Sequence, residues 1–173
     1  MMRIAVAAFT ACLIGSGPAL AAGGGMESVP IQGGMETGPS PEQLQAAYND
    51  GVRAVEAQNW KQAVSKFKFV TRSARDNADA WNYLGYSSRK GGDLKAGEKA
   101  YQRALKINPN HPRANEYYGE LLLEQNRIAE AEQRLAVLQA CCAANPVTAE
   151  LAGLIADAKA GKPTVRFKPS MGY

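Results

Sequence analysis

Residues 80–109 read Ala80-Trp81-Asn82-Tyr83-Leu84-Gly85-Tyr86-Ser87-Ser88-Arg89-Lys90, then Gly91-Gly92-Asp93, then Leu94-Lys95-Ala96-Gly97-Glu98-Lys99-Ala100-Tyr101-Gln102-Arg103-Ala104-Leu105-Lys106-Ile107-Asn108-Pro109. Trp81, Leu84 and Ser88 fall at steps of three and four, and so do Tyr101, Ala104 and Leu105, which is the spacing of one helical face. The Gly-Gly-Asp break between them marks a short turn. The stretch therefore predicts two helices folded back on each other.

The same pattern returns along the chain. Gly51, Gly85, Gly119 and Gly153 are spaced by a constant period of 34 residues, the length of a helix-turn-helix repeat. Twelve residues after the first three glycines stand Ala63, Gly97 and Ala131, all small, and four further on stand Phe67, Tyr101 and Leu135, all bulky. Gln58-Asn59, Gly91-Gly92-Asp93 and Asn126-Arg127 mark the turn inside each repeat, while Pro109 with Pro112, and then Pro146, mark the turns between repeats. A glycine inside a helix costs about 1 kcal/mol relative to alanine, so four at one phase require compensation. Close helix packing supplies it: the missing side chain admits the second helix, whose small residue meets the glycine while Phe67, Tyr101 or Leu135 fills the interface. At the front, Ser40-Pro41-Glu42-Gln43 has the hydroxyl, the proline and the glutamine of a capping box, and starts the first helix.

Residues 78–111 resemble the tetratricopeptide repeat family: Trp81, Leu84, Gly85, Gly97, Tyr101, Ala104 and Pro109 match its pattern of Trp, Leu, Gly, Ala, Phe, Ala and Pro, with Ser88 where Tyr is usual. The first repeat, 44–77, keeps Gly51, Ala63 and Phe67 but has Asp50 for Leu and Arg75 for Pro. The third, from Pro112, keeps Gly119, Ala131 and Leu135 but has Asn115 for Trp, Leu138 for Ala and Ala143 for Pro, and its second helix runs on through Cys141-Cys142. The fourth phase has room for one helix, about Val147 to Ala160, which serves as the solvating cap of such arrays. The resemblance covers Leu44 to Gly161. It implies an all-α, right-handed superhelical solenoid of antiparallel helix pairs, three repeats plus a capping helix, folding without metal or disulfide.

The flanks read differently. Residues 1–21 combine Arg3, an apolar run from Ile4 to Ile14 and Ala19-Leu20-Ala21, the anatomy of a signal peptide and too short for a membrane span. A retained anchor is the alternative, and Cys12, inside the apolar run, does not suit a lipid anchor. Residues 22–41 form a Gly- and Pro-rich flexible linker in which Gly-Gly-Met26-Glu27-Ser28 recurs as Gly-Gly-Met35-Glu36-Thr37. This pair reads as low complexity, with a docking motif or a thioether copper pair as alternatives. The repeat domain spans 42–161, and 162–173 is a flexible basic tail. Among 173 residues, 46% are hydrophobic, 21% charged and the net charge is +4, spread too evenly for a nucleic-acid footprint. The expectation is an exported protein, periplasmic if the source is Gram-negative, with no integral membrane segment after cleavage.

In the family the first helices of successive repeats line a concave groove that commonly holds an extended peptide or a partner helix. Steps of three and four along those helices select Tyr48 and Val52, then Asn82, Tyr86 and Arg89, then Arg113, Glu116, Tyr117 and Glu120. Tyrosine buries a large rigid area at little entropic cost, which suits peptide recognition. Tyr48 and Tyr86 are expected to face the groove, whereas Tyr83, Tyr117 and Tyr118 partly fill the interfaces between repeats. Some relatives hold a C-terminal carboxylate through a Lys/Asn/Arg clamp; Tyr48, Val52, Asn82 and Tyr86 at those positions break it.

Cys141-Cys142 is the one pair that suggests chemistry, as a redox or metal carrier helped by Met26 and Met35. The bland alternative is one buried packing cysteine plus a spectator, or an intermolecular disulfide, because adjacent cysteines on a helix point about 100° apart. His111 reads as a surface turn residue without a partner. No catalytic triad, phosphate loop or zinc-protease motif occurs, so no enzyme, cofactor or metal is expected. The leading expectation is a non-catalytic module that binds another exported or envelope protein, and self-association through the repeat ends is a third reading.

Overall fold

The computed structural model describes residues 38–162, and the signal peptide, most of the linker with Met26 and Met35, and residues 163–173 of the tail lie outside them. Seven helices follow in order: α1 Pro41–Glu56, α2 Trp60–Ser73, α3 Ala78–Lys90, α4 Leu94–Ile107, α5 Pro112–Glu124, α6 Ile128–Cys142 and α7 Pro146–Lys159. No strand occurs among the described residues. The helices pair as α1·α2, α3·α4 and α5·α6, with each pair packed on the next and α7 against both α5 and α6. The expected solenoid is observed, and its last helix begins one residue before the predicted Val147.

Local chemistry sets the element boundaries. The Ser40 hydroxyl accepts the Gln43 amide at 3.3 Å while the Gln43 side chain accepts the Ser40 amide at 2.9 Å, completing the capping box. Asn59, Asn77, Asp93 and Asn145 cap α2, α3, α4 and α7 with side-chain oxygens. Each is worth about 1 kcal/mol. The turns inside the repeats share a further 34-residue period: Gln58, Gly92 and Asn126 all take positive φ, at 54°, 90° and 59°. Only at Gly92 is this conformation free of the Cβ penalty.

The glycine ladder forms as the spacing predicts in the first two repeats. A Cβ on Gly51 would lie 2.7 Å from the Phe67 ring, and one on Gly85 would lie 2.6 Å from the Tyr101 ring. Gly97 backs onto the same step, its missing Cβ 3.1 Å from the Gly85 carbonyl oxygen. Phe67, Tyr101, Ala63 and Ala131 are completely buried. The third rung departs from the expectation: Gly119 is met by Leu151 of α7, at 2.6 Å, and not by Leu135. Leu138 of α6, where the second repeat has the smaller Ala104, is fully buried together with Ala131, and Leu135 is only half-buried. The larger side chain fills the α6 interface, and the hollow at Gly119 falls to α7.

Asn115, in place of the family's Trp, keeps part of its job. The Trp81 indole N–H donates to the Arg75 carbonyl at 3.0 Å, and the Asn115 amide donates to the Pro109 carbonyl at 2.9 Å, each six residues back and 34 apart. Thr148 repeats the device one residue out of phase, donating to the Cys142 carbonyl at 2.8 Å. In the first two the donor ties a helix to the turn before it, and in the third to the last residue of the preceding helix.

Two apolar clusters make the core, one from α1 to α4 and one from α4 to α7, with Trp81 and Tyr117 packed against both.

Candidate partner-binding face

The residues selected from the first helices are brought together across repeats, but more deeply than the sequence implied. Asn82, Tyr86 and Arg89 are each 4% exposed and Glu116 is 1% exposed. Tyr48, Val52, Arg113, Tyr117 and Glu120 are intermediate. The expected order of the tyrosines is thus reversed between Tyr86 and Tyr117. Tyr86 is enclosed because Trp60 of the preceding repeat meets its ring edge-on at 6.0 Å, while Tyr117 of the following repeat lies at 4.9 Å. Tyr48 is anchored by edge contacts to Phe67 of its own repeat at 5.6 Å and to Tyr83 of the next repeat at 5.7 Å.

Arg89 is the centre of the arrangement. Its guanidinium lies over the Tyr86 and Tyr117 rings, at 5.8 and 5.9 Å, and donates to Glu120 at 2.6 Å and to Glu124 at 2.8 Å. Burial works against its charge, but Tyr101, Glu120 and Glu124 together hold it above the ordinary arginine range. A buried guanidinium is tolerated when carboxylates and ring faces replace its water. The α3 and α5 faces are thereby locked in register. The Nε of Arg89 and the Oδ1 of Asn82 have no hydrogen-bond partner among the described residues.

A second group lies one turn toward the α5 N-terminus. Arg113 donates to Glu116 at 2.9 Å and reaches Glu150 of α7 at 3.6 Å. Burial first, and a hydrogen bond with Glu150 second, push the Glu116 carboxyl up to about 8 against the pull of Arg113. At neutral pH it therefore holds a proton that Glu150 accepts, with Arg113 beside both. Burial raises the Tyr117 hydroxyl likewise. This strip is a chain of rings and charges running from α3 through α5 to α7.

His111, read from the sequence as a partnerless turn residue, is buried and has two partners. Its Nδ1 accepts the Ala114 amide at 3.3 Å, capping α5, and its Nε2 lies 2.9 Å from the Asp79 carboxylate. An accepting Nδ1 places the ring proton on Nε2, where Asp79 accepts it. No sequence motif announces a histidine cap; only its place just before Pro112 hints at it.

The structure also revises the cysteines. Cys141 and Cys142 are joined to each other, on the last turn of α6, and neither is buried. The expectation of a buried packing cysteine fails, Cys141 being exposed and Cys142 only partly covered. Both sulfurs sit 3.8 Å from the Asn110 carbonyl oxygen. A disulfide has no S–H to donate, so this is contact only.

The tetratricopeptide repeat pattern matches residues 48–112 and again residues 88–157. Together these cover most of the seven helices, and the chain belongs to the tetratricopeptide repeat family. Similar solved structures include the type III secretion chaperone SycD of Yersinia enterocolitica in complex with a peptide of the translocator YopD. It is 20% identical with a TM-score of 0.62, over 70% of this chain and 93% of that one. The TPR2B domain of yeast Sti1 in complex with pHsp70 is 16% identical with a TM-score of 0.64, over 69% of this chain and 98% of that one. The TPR domain of Arabidopsis OM64 is 15% identical with a TM-score of 0.63, over 67% and 96%. No curated protein sequence matches the chain.

Proposed function

We propose that this chain is a non-catalytic protein-interaction module, exported to the periplasm or cell envelope, that takes a peptide or helix of another exported protein on the first-helix strip. The observation that carries this reading is the contact of Tyr86 with Tyr117 at 4.9 Å beside the Arg89 bridges to α5. Residues of two successive repeats thereby form one preorganised surface, and preorganisation lowers the entropic cost of association. Tyr48, Val52, Arg113, Tyr117 and Glu120 are its accessible members; Asn82, Tyr86, Arg89 and Glu116 set their positions from beneath. Support comes also from two of the similar structures, whose complexes contain a translocator peptide and pHsp70. The export signal read in residues 1–21 supports a partner in the same compartment. The test is capture from envelope extract by the purified protein against its Tyr117→Ala variant. A protein retained by the former and lost by the latter supports the reading; equal retention by both contradicts it.

A second reading, a redox carrier, is favoured by one observation: the bonded sulfurs of Cys141 and Cys142 lie on an accessible turn. Two electrons and two protons from a dithiol reductant would convert the disulfide to two thiols. The Cys141→Ser/Cys142→Ser variant decides: unchanged partner capture assigns the pair no part in binding, and loss of thiol exchange with preserved capture would separate the two roles.

A further inference from the structure

Each repeat after the first is seated on the one before it, and the seat is readable residue by residue. Ala80 of α3 and Ala114 of α5 occupy the same phase and are both completely buried; Leu84 and Tyr118, at a second phase, are 6% and 8% exposed. In the first repeat those phases fall on Ala46, which is exposed, and on Asp50, which is half-exposed. The face of α1 and α2 that would receive a preceding repeat is therefore present but unfilled by any described residue. A hollow of about 710 Å³ opens there, lined by Pro39, Ala46 and Ala47, by Asp50 and Lys66, and by Phe69. Phe69, at 42%, is the large hydrophobic residue left exposed among the described residues.

We infer that this face docks onto the same face of a second copy of the chain, forming a closed two-fold pair. Three observations select this occupant. The charges of the face are self-complementary: Asp50 accepts a hydrogen bond from Lys66 at 2.7 Å, and both side chains remain about one-third exposed. A two-fold axis brings the Asp50 of each copy toward the Lys66 of the other, as an isologous interface requires. The segment ahead of α1, residues 22–40, is rich in Gly and Pro and carries no helical pattern that could fill the seat. The opposite end of the array is of a different kind, since α7 buries Val147, Leu151, Leu154 and Ile155 and leaves Ala149, Ala156 and Lys159 outward. It offers no bulky side chain for the hollow, so like ends meet and growth stops at two. Phe69 is the anchor, and Ala46 lets the two α1 helices approach. This pairing is independent of the first-helix strip.

The test is analytical ultracentrifugation of the purified protein over a wide concentration range, with three variants checked for unchanged helix content by circular dichroism. A monomer–dimer equilibrium with no larger species is expected, and Phe69→Asp should weaken it at least tenfold. Asp50→Lys alone and Lys66→Asp alone should each be monomeric through like-charge repulsion, and an equimolar mixture of the two should regain dimers. Monomers at every concentration, growth beyond two copies, or undiminished dimers in Phe69→Asp would overturn the proposal. Should Phe69→Asp lose its helices, the mixing experiment decides by itself, because absence of dimers in the mixture also overturns it.

Discussion

Leu151 of the last helix occupies the space that a side chain on Gly119 would fill, with its methyl 2.6 Å from the missing Cβ. The third repeat is thereby closed by α7 where the first two are closed by their own second helices. Leu151→Ala should cost about 2–5 kcal/mol, the range for a buried leucine that leaves a cavity. Leu135→Ala, at the position the spacing singles out, should cost under about 1.5 kcal/mol because that side chain is half exposed. Urea denaturation of both variants checks the order.

The other rungs meet aromatic rings that are completely buried and have nowhere to move. Gly51→Ala and Gly85→Ala should each destabilise by about 1–2 kcal/mol, overpacking outweighing the roughly 1 kcal/mol gained in helix propensity. Gly119→Ala should be milder, since the leucine methyls it meets reorient more readily than a ring. Equal or greater loss at Gly119 would contradict this account of the ladder. Thermal unfolding of the three variants measures it.

His111→Ala removes the cap of α5 and the bond to Asp79, and a loss of about 1 kcal/mol is expected, with His111→Asn recovering most of it. Asn115→Ala should cost about 1–3 kcal/mol, because the partly buried Pro109 carbonyl loses its side-chain donor, while the His111 carbonyl keeps the backbone amide of residue 115. Chemical denaturation of the three variants reads both effects.

Most of the fold is legible in the sequence, because the glycine, small-residue and bulky-residue columns repeat at one period and keep one steric meaning through the first two repeats, the third departing where Leu151 replaces Leu135 against Gly119. The site is less legible. Steps of three and four place Tyr86, Arg89, Tyr117 and Glu120 on one face correctly, but periodicity along a helix does not carry depth. Tyr86 is enclosed by Trp60 and Tyr117, which belong to different helices, so its burial depends on packing between repeats. Arg89 pairs with acids 31 and 35 residues away, and no local pattern links them. The histidine cap and the asparagine that replaces tryptophan are likewise visible only once the turns are folded.

Glu116 makes stability depend on pH. Burial and the hydrogen bond with Glu150 push its folded carboxyl up to about 8, well above the ordinary carboxylate range. A raised folded value means that the native state holds a proton which the unfolded chain releases earlier. The contribution is complete below about pH 4.5 and disappears as pH rises through 8, a change of a few kcal/mol at most. Glu116→Gln should flatten that part of the profile and leave the protein more stable than the parent at pH 8.5. Denaturation midpoints from pH 5 to 9 test this; a stability rising over that window in the parent would show that Glu116 is anionic through its pairing with Arg113.

Truncating Arg89 strands two carboxylates against Tyr86 and Tyr117. Arg89→Ala should cost about 3–5 kcal/mol, the penalty for breaking a buried ion pair from one side. Arg89→Lys should recover only part, because an ammonium cannot reproduce the fork that serves Glu120 and Glu124.

The most direct measurement of the binding face is photo-crosslinking in cells, with a benzophenone amino acid at Tyr117 on the strip and, separately, at Lys99, an exposed position of α4. A discrete adduct with one exported protein from position 117 and none from position 99 is the predicted result. Adducts spread over unrelated proteins, equal labelling from both positions, or no adduct from 117 would contradict the assignment of the first-helix strip as the partner-binding surface.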